Sequence, residues 1–312
     1  MLKFIGKRLL WMIPIAIGVS LIVFALISLV PGDPASTILG PSADQAQIDA
    51  LNTKLGFYDP FWVRYFRYMG GVIRLDFGES YVTKIPVIQE LKSKIVISVI
   101  VAFSSIAGSL LIGVPLGILS AVKQYSLLDV FPTSLAMVLA AAPSFWVGLM
   151  LILVFSLKLG WLPSFGVEKA GWFVLPMLTL TAVYGATMLR FTRSSMLETV
   201  RQDYIRTVRA KGAAERVVIW RHALKNALLP VITAAGNTFG ALLGGAIVTE
   251  TLFSLPGLGT FVVNGIKQRD IPVVMGGTIT LSVLFSFVVL AVDLIYAFVD
   301  PRVKAKYTGR RS

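Results

Sequence analysis

A chain of 312 residues that is 56% hydrophobic and only 14% charged, with mean hydropathy +0.79, does not have the composition of a soluble domain, in which roughly a quarter of residues are charged. The net charge is +13, cysteine is absent, and His222 is the single histidine. Disulfides and thiolate metal sites are therefore excluded, and imidazole metal sites and histidine-dependent triads nearly so.

Apolar runs at 9–30, 95–122, 131–157, 172–190, 229–249 and 276–299 are each long enough to cross roughly 30 Å of hydrocarbon as a helix. They predict an all-α, polytopic membrane protein of about six spans. The first run follows Lys3, Lys7 and Arg8, as a secretory signal would. Its apolar part is too long for one, however, and Pro31-Gly32-Asp33-Pro34 stands where a small-residue cleavage site is needed, so residues 1–30 read as a retained first span. Residues 31–94 predict a small extramembrane helical layer. Ser42 with Gln45 has the pattern of a capping box, Gly56 that of a helix stop, and Asp59-Pro60 that of a new helix start. Residues 95–312 read as a five-span core, in which Pro115, Pro143 and Pro176 favour kinks.

The basic residues give an orientation. With the amino terminus inside, 18 of the 29 lysines and arginines fall in inside segments against five of the 16 acids, so nearly all the excess charge lies on one side. That is an insertion signal and removes nucleic acid as the explanation of the charge.

Gly113 and Gly117 in the second run, and Gly236, Gly240 and Gly244 in the fifth, recur every four residues and put small side chains on one helix face. Such a face serves either a dimer or pore lining, or helix packing within the chain. Asp293 is a carboxylate inside the last run, where burial without a partner is expensive. Arg190 or Arg193 would complete an ion pair near the inner interface; a substrate or proton site is the other reading. Glu250 and Asp270, with Arg269 and Lys267, border the outer surface, where they read as solvated interface charges; a face toward a binding protein or the pathway mouth is the other reading.

The segment 191–228 is basic, too long for a simple connection, and divided by Gly212 between two helix-like stretches. Its run from Asp203 to Gly212, DYIRTVRAKG, followed by His222 to Pro230, HALKNALLP, resembles the coupling loop of permeases in the dipeptide/oligopeptide branch of ATP-binding-cassette importers. Pro31-Gly32-Asp33-Pro34, Phe253-Ser254-Leu255-Pro256-Gly257-Leu258-Gly259, Arg269-Asp270-Ile271-Pro272-Val273 and the closing Asp300-Pro301-Arg302 are similar to landmarks of the same branch. The Glu-Ala-Ala triplet of other importers is replaced here by Arg206, Thr207 and Val208, as is usual in the peptide branch.

The resemblance implies a type I importer permease fold in a bacterial inner membrane, with both termini cytoplasmic and the 31–94 layer outside. It implies a second homologous permease subunit, two ATP-binding subunits that hold ATP and Mg, an extracytoplasmic solute-binding protein, and no cofactor in this chain. A short helix near Ala210–Trp220 would seat in a groove of the ATPase. Gly212 would allow close approach beside Ala210 and Ala213, Arg206, Arg209, Lys211 and Arg216 would supply charge, and Ile219 and Trp220 apolar surface. The cargo implied is di- or oligopeptides, with nickel chelates, glutathione or oligosaccharides as alternatives on the same architecture. No GxxxxGK[ST] phosphate loop occurs, so hydrolysis is expected in a partner. An ion-coupled secondary carrier is the competing class, and Asp293 is its only support. An intramembrane enzyme lacks the paired groups it would need.

Overall fold

The computed structural model describes residues 2–29, 31–40 and 42–299. These are almost wholly helical. In chain order the elements are α1 (Leu2–Leu29), α2 (Pro34–Leu39), α3 (Gln45–Leu55), α4 (Phe61–Val72), α5 (Val87–Val122), α6 (Leu127–Ala141), α7 (Ser144–Leu151), α8 (Val174–Val200), α9 (Asp203–Ala210), α10 (Glu215–Val217), α11 (Leu224–Leu252), α12 (Leu258–Gln268) and α13 (Ile271–Val299). π-Helical turns extend α7 over Ile152–Lys158 and join α10 to α11 over Val218–Ala223. Among the described residues four helices are long and apolar enough to cross a membrane, and up to six spans result if each of two bent pairs counts as one. The expected continuous run 131–157 is such a pair: α6 and the α7 extension meet at 108°. Ala142 is extended because Pro143 follows it, and the proline has no N–H with which to continue the helix.

The chain forms two compact units. One joins Gly6–Val99 to Leu255–Ser286. Its core is made by Phe24 of α1, Tyr65 of α4, Val87 and Leu91 of α5, Leu258 and Phe261 of α12, and Met275 and Ile279 of α13. Tyr65 is buried with its hydroxyl 2.9 Å from Ser20 Oγ.

The Pro-Gly-Asp-Pro motif is a cap. Asp33 accepts from Ser36 N at 2.8 Å and Ser36 Oγ at 2.6 Å, while Pro34 opens α2 with a preset φ. Asn52, buried on α3, donates to Asp33 Oδ1 at 2.7 Å and accepts from Ala35 N at 3.1 Å, which ties α3 to the start of α2. Gly56 ends α3 with φ +69°, as its position predicted. The other two boundaries differ: α3 is capped at Asp44 rather than Ser42, and α4 begins at Phe61, leaving Asp59 to pair with Arg67.

Asp270 is not a solvated border charge. It is 1% exposed, accepts from Ser80 Oγ at 2.5 Å and Val82 N at 3.3 Å, and stands at the head of α13, where it anchors the loop between α4 and α5.

The other unit is built on Ile100–Ser254 and residues 287–299. Here α8 packs against α5, α6, α7 and α11, and glycine sets its approach to α5. A Cβ on Gly113 would lie 2.6 Å from the Gly185 carbonyl oxygen, and one on Gly117 would lie 2.6 Å from Thr192 Cβ. That face of α5 is therefore filled by its own chain. Gly236 meets Val292 of α13 in the same way, at 2.5 Å, and Gly240 is buried. The surroundings of Gly244, and the Asp300-Pro301-Arg302 motif, lie outside the described residues. Glu250 is fully buried on α11, against the expectation of a solvated border charge.

Candidate coupling site

Helix α9 is amphipathic because apolar and basic residues alternate at helical spacing over only eight positions. Ile205 is fully buried and Val208 packs beside it, whereas Arg206 and Arg209 are exposed. Gly212 follows with φ +80°, a left-handed conformation that costs a residue with a Cβ roughly 1–2 kcal/mol. Its N–H bonds the Arg209 carbonyl at 2.9 Å. Across this turn Arg209 grips Glu215 through both carboxylate oxygens, at 3.0 and 2.6 Å. The Arg209 hydrogen bonds hold the Glu215 carboxyl below its ordinary value.

After the turn, Val218, Ile219 and Ala223 turn inward. With Ile205 they join Ile118 and Ala121 of α5, Met196 of α8 and Ala227 of α11 in one buried cluster. Ser195 Oγ donates to the Ala227 carbonyl at 2.7 Å, which fastens α8 to α11 beside the cluster. What remains outside is a face with exposed Arg206, Arg209, Ala210, Lys211, Gly212, Arg216, Val217 and Trp220, the last 58% exposed, while Ala213 is half-buried.

Two expectations change. Gly212 does divide two helical stretches, α9 and α10, but the short helix expected near Ala210–Trp220 begins only at Glu215, after a turn at 211–214. Ile219 belongs to the interior and not to the exposed face; Val217 and Trp220 supply the apolar surface.

Asp129 of α6 carries no local signal in the sequence. It is 3% exposed and held bidentately by Arg193, Nε to Oδ1 at 2.6 Å and Nη2 to Oδ2 at 2.9 Å. Ser120 and Thr133 hydroxyls and the Tyr125 N–H complete its bonds. Arg193 is thus committed and is not the partner of Asp293, which sits half-buried on α13. Arg190 is exposed on α8 and lines a cavity of about 870 Å³ together with Arg201, Glu198 and Gln202.

Residues 113–305 match the family described as "Binding-protein-dependent transport system inner membrane component", and residues 1–102 match "Binding-prot-dependent transport system membrane comp, N-term". The Dipeptide transport system permease protein DppB of Alkalihalophilus pseudofirmus is 40% identical over 97% of this chain and 100% of its own length. The Glutathione transport system permease protein GsiC of Escherichia coli K12 is 38% identical over 98% of this chain and all of its own. Among solved structures, a chain of the inward-facing MetNI methionine ABC transporter superposes with a TM-score of 0.59 at 19% identity, covering 68% of this chain and 97% of that one, which shows a shared fold. The chain belongs to the family of inner-membrane components of binding-protein-dependent transport systems.

Proposed function

We propose that the chain is one of two homologous permease subunits of an ATP-driven importer of di- or oligopeptides, worked by alternating access. Two ATP-binding subunits hold ATP and Mg and grip the turn around Gly212; an extracytoplasmic binding protein delivers the solute. Both termini lie in the cytoplasm, and residues 31–94 face outside. In this reading Asp293 pairs with Arg190 near the inner interface.

The observation that carries the proposal is the construction of the turn. Its apolar side is buried in a cluster shared with α5, α8 and α11, and its outer side presents exposed basic residues and Trp220. Such a surface is built to be pushed without deforming. The peptide cargo rests on the dipeptide permease among the relatives. Glutathione is the second reading, favoured by the relatives named for it; it is itself a small peptide with free carboxylates.

The test is reconstitution of the permease pair with its ATPases and binding protein in proteoliposomes. Di- or oligopeptides are expected to raise ATP hydrolysis and to accumulate inside, and unlabelled glutathione is expected to compete weakly. Uptake driven by an ion gradient without ATPases would overturn the reading.

A further inference from the structure

Among the described residues, Arg64 of α4 is a half-buried cation with no carboxylate in ion-pair contact. Its Cζ lies 4.9 Å from the Phe57 ring centroid and 5.6 Å from that of Phe24. The nearby acids are committed elsewhere: Asp59 to Arg67, and Asp33 to Ser36 and Asn52. Ring faces steady the charge but accept no strong N–H hydrogen bond. One turn along the helix, the Tyr68 hydroxyl is buried and has no hydrogen-bond partner among the described residues, a loss of roughly 1–3 kcal/mol for such a group.

Both side chains line one cavity of about 270 Å³, walled by Phe24, Phe57, Tyr81 and Pro272. Burial pushes the Tyr68 phenol up from its ordinary value, so at neutral pH it is a donor. Asp76, the acid among the lining residues, is exposed and accepts from Gly78 N at 2.9 Å. A guanidinium in no ion pair among the described residues, though Asp59 lies near enough to favour its charge, and a tyrosine with an unused hydroxyl donor therefore line one aromatic-walled hollow, which is the chemistry of a carboxylate receptor.

Size decides what brings the carboxylate. Pockets that enclose whole small ligands measure roughly 300–1,000 Å³. This one lies below that range and suits one inserted side chain, the usual form of an interface anchor.

We propose that the Arg64–Tyr68 cavity receives an aspartate or glutamate side chain of the extracytoplasmic binding protein when that protein docks. The site rests on the importer reading, which places residues 31–94 outside. Arg64 forms the ion pair, Tyr68 donates the second hydrogen bond, and the aromatic walls exclude water from both.

The experiment uses the complete transporter in proteoliposomes and measures the binding-protein concentration that half-maximally stimulates ATP hydrolysis. Arg64→Gln is expected to raise it by about tenfold or more, and Tyr68→Phe, which keeps the ring, by about two- to tenfold. Co-purification of the ATPases establishes that each variant is assembled. Each acidic residue of the binding protein is then changed to its amide; one such variant is expected to reproduce the Arg64→Gln loss and to add nothing to it in the double variant. Unchanged half-stimulation in both permease variants overturns the proposal, as does the failure of every acidic variant to couple. A loss seen with free peptides but absent with carboxy-terminal amides assigns the cavity to the solute instead, and also overturns it. A wild-type complex that no binding protein stimulates removes the importer reading itself, and this site with it.

Discussion

Gly212 gives the most direct test of the coupling turn, because its environment separates backbone strain from steric exclusion. Its φ is +80°, and a Cβ built on it would meet nothing within 4 Å. A side chain at this position in the isolated chain therefore costs only what the left-handed backbone costs. For alanine that is about 1 kcal/mol, for a β-branched residue 2 kcal/mol or more, and for asparagine, which tolerates this region, only a small amount. Against the folded turn, 1–2 kcal/mol is a factor of roughly 5–30 in its population. Solute accumulated per ATP hydrolysed in proteoliposomes should then fall in the order Asn, Ala, Val, with Gly212→Asn close to the parent protein. Gly212→Asp shares asparagine's backbone tolerance but places an anion among Arg209, Lys211 and Arg216. It is expected to uncouple transport while insertion and abundance stay normal. If Gly212→Asn proves as damaging as Gly212→Val, strain is not the cause and a partner surface excludes any side chain there. Normal coupling in Gly212→Val at normal abundance would refute the role of the turn.

Three further outcomes follow from the packing. Arg193→Leu leaves the Asp129 carboxylate buried and uncompensated, which should destabilise the protein by about 3–5 kcal/mol, and the double replacement Asp129→Leu/Arg193→Leu should recover part of that loss; melting in detergent measures both. Gly113→Ala drives a Cβ to within 2.6 Å of the Gly185 carbonyl and should cost about 1–3 kcal/mol, whereas Gly18→Ala, with nothing within 4 Å, should be neutral or slightly stabilising; equal effects on melting would discount the close approach of α5 and α8. Because the Glu215 carboxyl is held below its ordinary 4.5, the Arg209–Glu215 pair contributes fully above that value and loses its contribution as pH falls below it. The pair is exposed, so the loss is under about 1 kcal/mol, visible as faster rate-corrected amide exchange at residues 212–215 in acid, and no change there would contradict the pairing.

The sequence made the apolar runs plain but not the helices that carry them. Hydropathy stops at charges, whereas a helix stops at a cap. The 172–190 run thus belongs to a helix that continues to Val200 through Arg190, Arg193 and Glu198, and the 95–122 run to one that begins at Val87. The Pro-Gly-Asp-Pro landmark was visible, but its work depends on Asn52, 19 residues from Asp33, which no local pattern marks. Asp129 is unmarked for the same reason: its partner is 64 residues away. Pro143 did signal a break, yet a proline fixes only that regular bonding stops; the 108° turn depends on what packs on each side. Ile219 and Trp220 are neighbours of similar hydrophobicity, and the π-helical turn at 218–223, with its i→i+5 bonding, decides which of them is inside.

The buried side of the turn yields a sharper test than the exposed side, because it probes transmission apart from docking. Ile205 is fully buried in a cluster with residues of α5, α8 and α11, and α5 and α8 have no slack at Gly113 and Gly117. A close-packed interior does not bend gradually, so a push on α9 must move the three long helices together or break this cluster. Ile205→Ala removes about 2–5 kcal/mol of local packing while leaving Arg206, Arg209, Lys211, Gly212 and Trp220 in place on the outer face. The ATPases should therefore still co-purify and hydrolyse ATP, while solute moved per ATP falls severalfold. Loss of co-purification would mean that Ile205 shapes the docking face itself. Unimpaired transport would mean that the stroke reaches the helices by some route other than this cluster.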